Sequence, residues 1–396
     1  MTDRPRGGMT ALCLAQITSW GLLYYSLPVA VVPVSADTGW SHTTVTAALA
    51  AGLLVSAVLG VQVGRLLDVR GPRAVMTTGS VIGVLALLLV AWSPNLPMFF
   101  AAWLLAGFAQ AAVLYPPTFA VITRWYGPRR VGPLTTLTLV GGFASTVFAP
   151  LVAFLVEVFG WRGSFLVMAG ILALVTIPLH ALFLNGPWSD GAPVRATTAA
   201  TAEIRQVTRS ARFRILQITM AVATFTLFAV TINIIPMFLE RGMSYEMAAL
   251  SLGLVGAGQV IGRIGYPQFA RATTPRMRTV TVFIAGAAAL WVLALLPQPY
   301  CLLVAVAILA GGVRGCHTLL QATAVSDRWG TKNFGAINGA FVAPMTAVGA
   351  VALVAGPGLA ELLGGYPAMA AIMAALLTGA ALVAMREPQP RPAPHP

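Results

Sequence analysis

The sequence predicts an all-α integral membrane protein with twelve transmembrane helices in two six-helix bundles. Three observations support this prediction. The first is composition, since 58% of the 396 residues are hydrophobic, only 9% are charged and the mean hydropathy is +0.84. A soluble domain of this size could not bury so much apolar surface. The second is the recurrence of apolar runs of about twenty residues. The third is the concentration of basic residues in the short intervals between those runs.

Turn and charge signals separate the apolar runs, and each run is long enough to cross a hydrocarbon core of about 30 Å. The twelve predicted spans lie at about residues 10–34, 43–65, 74–93, 97–123, 133–157, 163–185, 213–239, 246–267, 279–297, 299–325, 334–356 and 366–385. The division between the ninth and tenth spans depends on Pro297 and Pro299, which predict a very short turn.

The distribution of basic residues predicts the orientation. Of the 24 Lys and Arg residues, only Arg162 and Arg241 fall in loops assigned to the outer side, while Arg263 and Arg314 lie within spans. The positive-inside rule therefore places both termini in the cytoplasm, in a multi-pass protein of the inner (plasma) membrane. The sequence pI of about 10.8 does not indicate a nucleic-acid partner, because the basic residues follow the membrane topology.

One long polar interval divides the chain into two halves of six spans. The predicted domains are an N-terminal six-helix bundle, a cytoplasmic central loop, a C-terminal six-helix bundle and a disordered proline-rich tail, at residues 1–185, 186–212, 213–386 and 387–396. Within the central loop, a basic amphipathic piece from Thr201 to Arg214 is predicted to lie along the inner leaflet.

Two arginines inside spans are the most informative residues of the chain. Arg263 lies near the end of the apolar run 247–266, and Arg314 interrupts the run 300–324, with His317 one helical turn further on. A guanidinium in hydrocarbon costs roughly 3 to 15 kcal/mol, depending on the reference state, unless it faces a polar cavity. Two such cations predict a binding site for an anion. The structural alternative is that both guanidinium groups snorkel to the surface or donate to backbone carbonyls.

Polar and aromatic residues in other spans are further candidates for lining a cavity. They are Gln16, Trp20, Tyr24, Tyr25, Tyr115, Asn233 and Gln321. Tyr24 shares a helical face with Gln16 and Trp20 at a spacing of four residues. Tyr115 directly precedes two prolines, which should break the helix and direct carbonyl groups toward the cavity. The alternative for each residue is a hydrogen bond that joins two helices.

His317 is the embedded group whose ordinary pKa lies nearest neutrality, since all eleven Asp and Glu residues fall in loops, tails or span ends. Arg314 on the same helical face favours the uncharged imidazole. His317 is therefore either a proton carrier or a hydrogen-bonding core residue.

A glycine-rich charged segment follows the second span. The segment resembles the major facilitator superfamily signature G-x-L-x-D-x-x-G-x-R. The residues that carry the resemblance are Gly64, Asp68, Gly71 and Arg73, and Arg70 lies between Asp68 and Gly71. The resemblance implies the major facilitator fold, in which the aspartate caps a neighbouring helix and latches the two halves in one state, around a cavity at midmembrane. The corresponding segment of the second half keeps a glycine and basic residues but lacks the acid. The alternative is an ordinary charged turn.

Residues 159–166, with the sequence FGWRGSFL, resemble the FGWRGSF segment of monocarboxylate transporters and their bacterial oxalate/formate-antiporter-like relatives. This segment is structural and does not identify a substrate. The resemblance implies that Arg263 corresponds to the arginine that binds the substrate carboxylate. Gln259 occupies the position of that family's aspartate, and Val29 the position of its first-span lysine. With both coupling groups missing, we expect facilitated diffusion or anion exchange.

The combined prediction is a secondary active or facilitative transporter of a small organic anion, a mono- or dicarboxylate, working as a monomer by alternating access. The expected partners are that anion, the lipid bilayer and a proton or counter-anion. One alternative is an exporter of amphipathic drugs or metabolites, and another is a transporter-like sensor that binds without turnover. The sequence contains no P-loop, HExxH or Cys/His cluster, so we expect no enzyme activity, cofactor or metal.

Overall fold

The computed structural model describes residues 5–186, 188 and 198–386. All regular secondary structure in these residues is helical. The chain falls into two compact units, the first comprising Met1–Gln206 with Thr331–Ala347 and the second Val207–Gly330 with Val348–Pro396. The predicted disordered tail and residues 187 and 189–197 of the predicted central loop lie outside the described residues.

Seven of the N-terminal helices follow the apolar runs, and the eighth lies in the polar interval. They are α1 (Gly8–Trp20), α2 (Ser26–Thr38), α3 (His42–Ala91), α4 (Leu96–Val113), α5 (Tyr115–Tyr126), α6 (Val131–Gly142), α7 (Ala144–Phe183) and α8 (Thr198–Arg209). A π-helical turn, Gly21–Tyr25, joins α1 to α2 without interrupting the helical path.

The C-terminal helices show the same organisation, with short breaks where the chain turns or kinks. They are α9 (Ala211–Ile232), α10 (Ile234–Leu239), α11 (Tyr245–Ala272), α12 (Pro275–Leu295), α13 (Tyr300–Ala324), α14 (Ser326–Trp329), α15 (Phe334–Leu363) and α16 (Tyr366–Ala384). The start of α15, up to Ala347, is counted with the first unit.

Nine helical stretches among the described residues are long and apolar enough to cross a membrane. Two of them, His42–Ala91 and Val131–Phe183, each contain a glycine with a positive φ, Gly71 at +78° and Gly160 at +66°. At those glycines the chain makes a tight turn, so each stretch provides two spans. With the 28-residue helix α11, the described residues contain the twelve predicted spans.

Glycines allow α11 and α13 to touch at their backbones. A Cβ atom added at Gly258 would overlap the carbonyl oxygen of Ile308, and one at Gly262 would overlap that of Gly312. The Cys316 thiol donates to the Gly262 carbonyl at 3.3 Å. Small residues commonly permit this close approach between membrane helices. The two helices therefore run side by side, with Arg263 and Arg314 on neighbouring turns.

The FGWRGSF segment contacts two other parts of the first unit, Asp37 and Ser93. Trp161 donates from Nε1 to the Asp37 carboxylate at 2.8 Å, and Arg162 forms an ion pair with the same oxygen at 2.5 Å. Arg162 also donates to the Ser93 carbonyl at 3.0 Å and lies 4.0 Å from the centre of the Trp161 ring. These contacts join α7 to the end of α2 and to the connection after α3, which is a structural role.

The predicted bounds of the amphipathic piece, Thr201 to Arg214, are wrong. Helix α8 ends at Arg209, and Ser210 begins α9 as its N-cap, with Oγ accepting a hydrogen bond from the Phe213 N–H at 3.2 Å. A serine N-cap favours a new helix start, because its hydroxyl satisfies an N–H group that has no partner within the helix.

Candidate functional site

Three of the predicted site residues share one face of α13, because Arg314, His317 and Gln321 are spaced by three and four residues. Arg314 donates from Nη1 to the Thr231 hydroxyl at 3.1 Å, and its guanidinium carbon lies 3.8 Å from the centre of the Phe228 ring. A cation over an aromatic face is attracted by the ring quadrupole. Helix α9 therefore orients the Arg314 guanidinium on two sides.

The other two residues of this face also contact α9. Gln321 donates from Nε2 to the Thr224 hydroxyl at 2.8 Å. His317 is 3% exposed, lies 6.3 Å from the ring of Phe283 and is next to the backbone of Met220. The structure therefore places His317 in the packed interior of the second unit. Its surroundings favour the structural role over the role of proton carrier.

Arg263 lies on α11 at the level where that helix contacts α13. Its side chain is 7% exposed within the protein. A snorkelling arginine exposes its charged head, so this burial does not fit the snorkelling alternative. Gln259, one turn earlier, is half-buried, and its backbone contacts α13 where Gly315 leaves room. The structure thus places the two arginines and Gln259 on two helices in direct contact.

Asn233 marks the break between α9 and α10. Its backbone has φ −96° and ψ 24°, and its amide nitrogen donates to the Ala229 carbonyl at 2.8 Å. Gly356 on α15 accommodates the amide, because a Cβ atom there would overlap it. Asn233 is buried, and its hydrogen bond stays within α9, while the small Gly356 lets α15 pack against its amide.

Tyr24 and Tyr115 belong to the first unit and lie in one group of rings. Both have their ring centres 5.0 Å from Trp20. Tyr25 lies 5.0 Å from Tyr24, and Phe119 stacks on Tyr115 at 5.0 Å. The break before Tyr115 is present, since Leu114 has an extended backbone with ψ −163°. The sequence places Tyr25 on the same span but off the face of Trp20 and Tyr24, and its ring joins the group because of the π-helical turn Gly21–Tyr25.

Asp68 of the signature segment caps the start of α15. Its two carboxylate oxygens accept hydrogen bonds from the N–H groups of Gly335 and Ala336 at 3.0 and 2.8 Å. A carboxylate at a helix N-terminus is favoured by the helix dipole and by N–H groups that lack helical partners. Gly64 permits this arrangement, because a Cβ atom there would overlap the Gly335 carbonyl.

Trp188 covers the signature segment, a contact that no sequence pattern predicted. Its indole donates from Nε1 to the Asp68 carbonyl at 3.2 Å. A Cβ atom added at Gly71 would lie 3.0 Å from the Trp188 ring, so the glycine makes room for the indole. The guanidinium of Arg124 lies 4.6 Å from the Trp188 ring centre. A single tryptophan in a polar interval is the only sequence signal for this contact. Arg70 and Arg73 are exposed.

The second unit contains a buried ion pair near the corresponding segment. Arg278, at the start of α12, donates to the Asp327 carboxylate at 2.9 Å, and the two side chains are 7% and 12% exposed. Arg278 also donates to the carbonyls of Ala270 and Thr273, both at 3.2 Å. The segment of the second half that corresponds to the signature lacks its aspartate, and Asp327 on α14 provides an acid near that segment.

Comparison with known proteins decides the family. A family model described as Major Facilitator Superfamily matches residues 12–351, which is most of the chain. The chain belongs to the Major Facilitator Superfamily. Among solved structures, this superfamily member is similar to the transporter FucP in its outward conformation, with a TM-score of 0.77, 13% identity and coverage of 96% of this chain and 99% of that chain. It is also similar to the human organic anion transporter MFSD10 (TETRAN), with a TM-score of 0.74 and 15% identity over 96% of this chain and 99% of that chain. These likenesses confirm the predicted fold.

Curated relatives support the predicted branch of the superfamily. Human monocarboxylate transporter 11 is 31% identical over 241 residues, which cover 59% of this chain and 50% of that protein. Monocarboxylate transporter 13 of Rattus norvegicus is 27% identical over 213 residues, covering 48% of this chain and 47% of that protein. The chain spans about half the length of the curated relatives it matches. The predicted resemblance to monocarboxylate transporters is confirmed.

Proposed function

We propose that this Major Facilitator Superfamily protein is a secondary transporter of a small organic anion, a mono- or dicarboxylate, working by alternating access. The observation that carries the proposal is the position of Arg263 and Arg314. They lie on neighbouring turns of α11 and α13, two helices whose backbones are in contact. Its similarity to monocarboxylate transporters 11 and 13 supports the same substrate class. The protein is further proposed to act as a monomer with both termini in the cytoplasm.

The two arginines suit a carboxylate for physical reasons. A guanidinium is planar, stays charged at physiological pH and presents paired N–H groups that match the two oxygens of a carboxylate. Thr231 and Phe228 hold the Arg314 guanidinium in one orientation, which reduces the entropy that binding would otherwise cost. Inside a membrane protein the attraction between such charges is stronger than in water. Two arginines would balance the charge of a dicarboxylate, and one would balance that of a monocarboxylate.

The proposed transport mode is facilitated diffusion or anion exchange. Gln259 cannot carry a proton, and it occupies the position of the coupling aspartate in the resembling family. His317 lies in the packed interior, away from the position expected of a group that exchanges protons with water. A proton could still accompany the substrate on the substrate's own carboxyl group.

Counterflow into proteoliposomes tests this function with pyruvate as the monocarboxylate and succinate as the dicarboxylate. We expect labelled substrate to accumulate when unlabelled substrate is preloaded. Arg263→Gln should lower the apparent affinity for both acids about 10- to 100-fold, the loss expected for charged hydrogen bonds. Arg314→Gln should weaken succinate binding by a similar factor and pyruvate binding less.

The matched control is Arg271→Gln, which removes an exposed arginine from the same helix and should leave uptake unchanged. Binding of an acid without exchange would indicate a sensor. Succinate affinity that stays the same in Arg314→Gln would eliminate the two-arginine site. Exchange of amphipathic drugs but of neither acid would favour the exporter.

We propose that Gly64, Asp68, Arg70, Gly71 and Arg73 form a conformational latch that depends on the Asp68 cap of α15. Asp68→Asn keeps the side-chain shape but removes the charge that the helix N-terminus favours. We expect counterflow to slow at least tenfold, because each 1.4 kcal/mol lost from one state changes its population by about that factor. Ligand-induced thermal stabilisation should persist. Glu157→Gln, at an exposed site, is the control, and equal rates in both variants would contradict the latch.

A further inference from the structure

Four aromatic side chains of the first unit form one group, which we call the aromatic cluster: Trp20, Tyr24, Tyr25 and Tyr115. Ring centres lie 5.0 Å apart for Trp20 and Tyr24, for Trp20 and Tyr115, and for Tyr24 and Tyr25. Trp20 and Tyr25 are separated by 6.3 Å. These distances fall within the range of favourable aromatic pairs.

The π-helical turn Gly21–Tyr25 makes the cluster possible. Adjacent residues of an α-helix point about 100° apart, so Tyr24 and Tyr25 would ordinarily diverge. The wider turn brings both rings against Trp20. Single π-helical turns are rare, and within helices they occur frequently at functional sites.

The exposure of the rings distinguishes this cluster from ordinary core packing. All four side chains are only partly buried within the protein, whereas the neighbouring Phe119 is 4% exposed. Gly141 leaves room for the Tyr115 hydroxyl, because a Cβ atom there would lie 2.6 Å from it. The cluster therefore keeps accessible ring surface on which a further ring could stack.

Buried polar groups next to the cluster lack hydrogen-bond partners among the described residues. They are the Trp20 Nε1 group, the Ser19 hydroxyl and the Gln16 amide nitrogen. Gln16 is 1% exposed, and its oxygen already accepts from Thr118 at 2.8 Å. A buried polar group without a partner is unfavourable, because it has lost its hydrogen bonds to water. All three groups can donate, and they lie within about one turn of α1, so they suit an oxygen acceptor.

The charges in this region favour an uncharged or anionic ligand. Aromatic groups can also bind cations, since a ring face attracts positive charge. A cation site in a membrane protein ordinarily includes an acid, and all eleven Asp and Glu residues of this chain occupy loops, tails or span ends. Three donor groups and no nearby carboxylate fit an acceptor-bearing ligand with an aromatic ring.

We propose that the aromatic cluster is a site of the first unit for the ring of an aromatic organic acid whose oxygen accepts a hydrogen bond from Trp20, and that the transported anions are acids of this class. This inference rests on the proposed transport of carboxylates and narrows its substrate class. Pyruvate and phenylpyruvate are suitable probes, because they carry the same carboxylate and oxo groups and differ by the ring.

The experiment measures inhibition of counterflow by each acid. In the wild-type protein, phenylpyruvate should inhibit at a concentration about tenfold lower than pyruvate, the effect expected of one or two aromatic contacts. Trp20→Leu and Tyr115→Leu should bring this ratio close to one, whereas Tyr24→Phe, which keeps the ring, should retain it. Trp92→Leu changes an exposed tryptophan outside the cluster and should also retain the ratio.

Equal inhibition by both acids in the wild type would overturn the inference and leave the proposed function intact. A preference for phenylpyruvate that survives in Trp20→Leu and Tyr115→Leu would overturn it as well. Stronger inhibition by phenethylammonium than by phenylpyruvate would show a cation site instead. If neither acid is exchanged, the proposed function itself fails. If Trp20→Leu does not fold, Tyr25→Leu provides the same comparison at another ring.

Discussion

Gly262→Ala is expected to destabilise the protein by about 3 kcal/mol, whereas Gly265→Ala on the same helix should stay within about 1 kcal/mol of the wild type. The difference arises from packing. A Cβ atom at Gly262 would overlap the backbone of α13 at Gly312, while nothing lies within 4 Å of a Cβ atom at Gly265. A backbone carbonyl cannot rotate away as a side chain can, so α11 and α13 would have to separate.

Thermal unfolding in detergent, followed by tryptophan fluorescence, measures this difference. Gly258→Ala should behave like Gly262→Ala, since its Cβ atom would overlap the Ile308 carbonyl. Because Arg263 adjoins Gly262, helix separation should also lower substrate affinity. Similar unfolding temperatures for Gly262→Ala and Gly265→Ala would show that α11 and α13 do not approach as closely as described.

Asp327→Ala should cost about 3–5 kcal/mol of stability, because it leaves the buried Arg278 guanidinium without its counter-charge. The control is Glu203→Ala. Glu203 forms an ion pair with Lys332 at 2.7 Å, with side chains 39% and 77% exposed, and exposed pairs contribute at most about 1 kcal/mol. The two variants therefore remove the same charge type from a buried and from an exposed pair.

The measurement is the midpoint of thermal or denaturant unfolding for both variants. The double variant Arg278→Met with Asp327→Leu should recover much of the loss, because it removes both buried charges together. Asp327→Ala and Glu203→Ala with equal midpoints would mean that the Arg278–Asp327 pair is more hydrated than its burial indicates.

The sequence predicted the spans well because membrane insertion depends on local composition. Apolar runs of about twenty residues satisfy the length of the bilayer core wherever they occur, so their number can be counted without knowing their neighbours. The bounds of the amphipathic piece could not be predicted as well, because a single N-cap at Ser210 decided them.

The candidate site was only partly predictable. The cost of an embedded charge singled out Arg263 and Arg314, and helical spacing placed Arg314, His317 and Gln321 on one face. Composition could not tell which helix that face meets. The structure assigns Thr231 and Phe228 as the neighbours of Arg314 and places His317 in the interior.

The sequence by itself therefore determined the membrane class, the number of spans and the short list of embedded polar residues, since each depends on residues close together in the chain. Only the tertiary structure decided the partners of Asp68, the cover provided by Trp188 and the pairing of Arg278 with Asp327. Those contacts join residues that are tens to hundreds of positions apart. They depend on close helix packing and on the direction of single side chains, which no local pattern specifies.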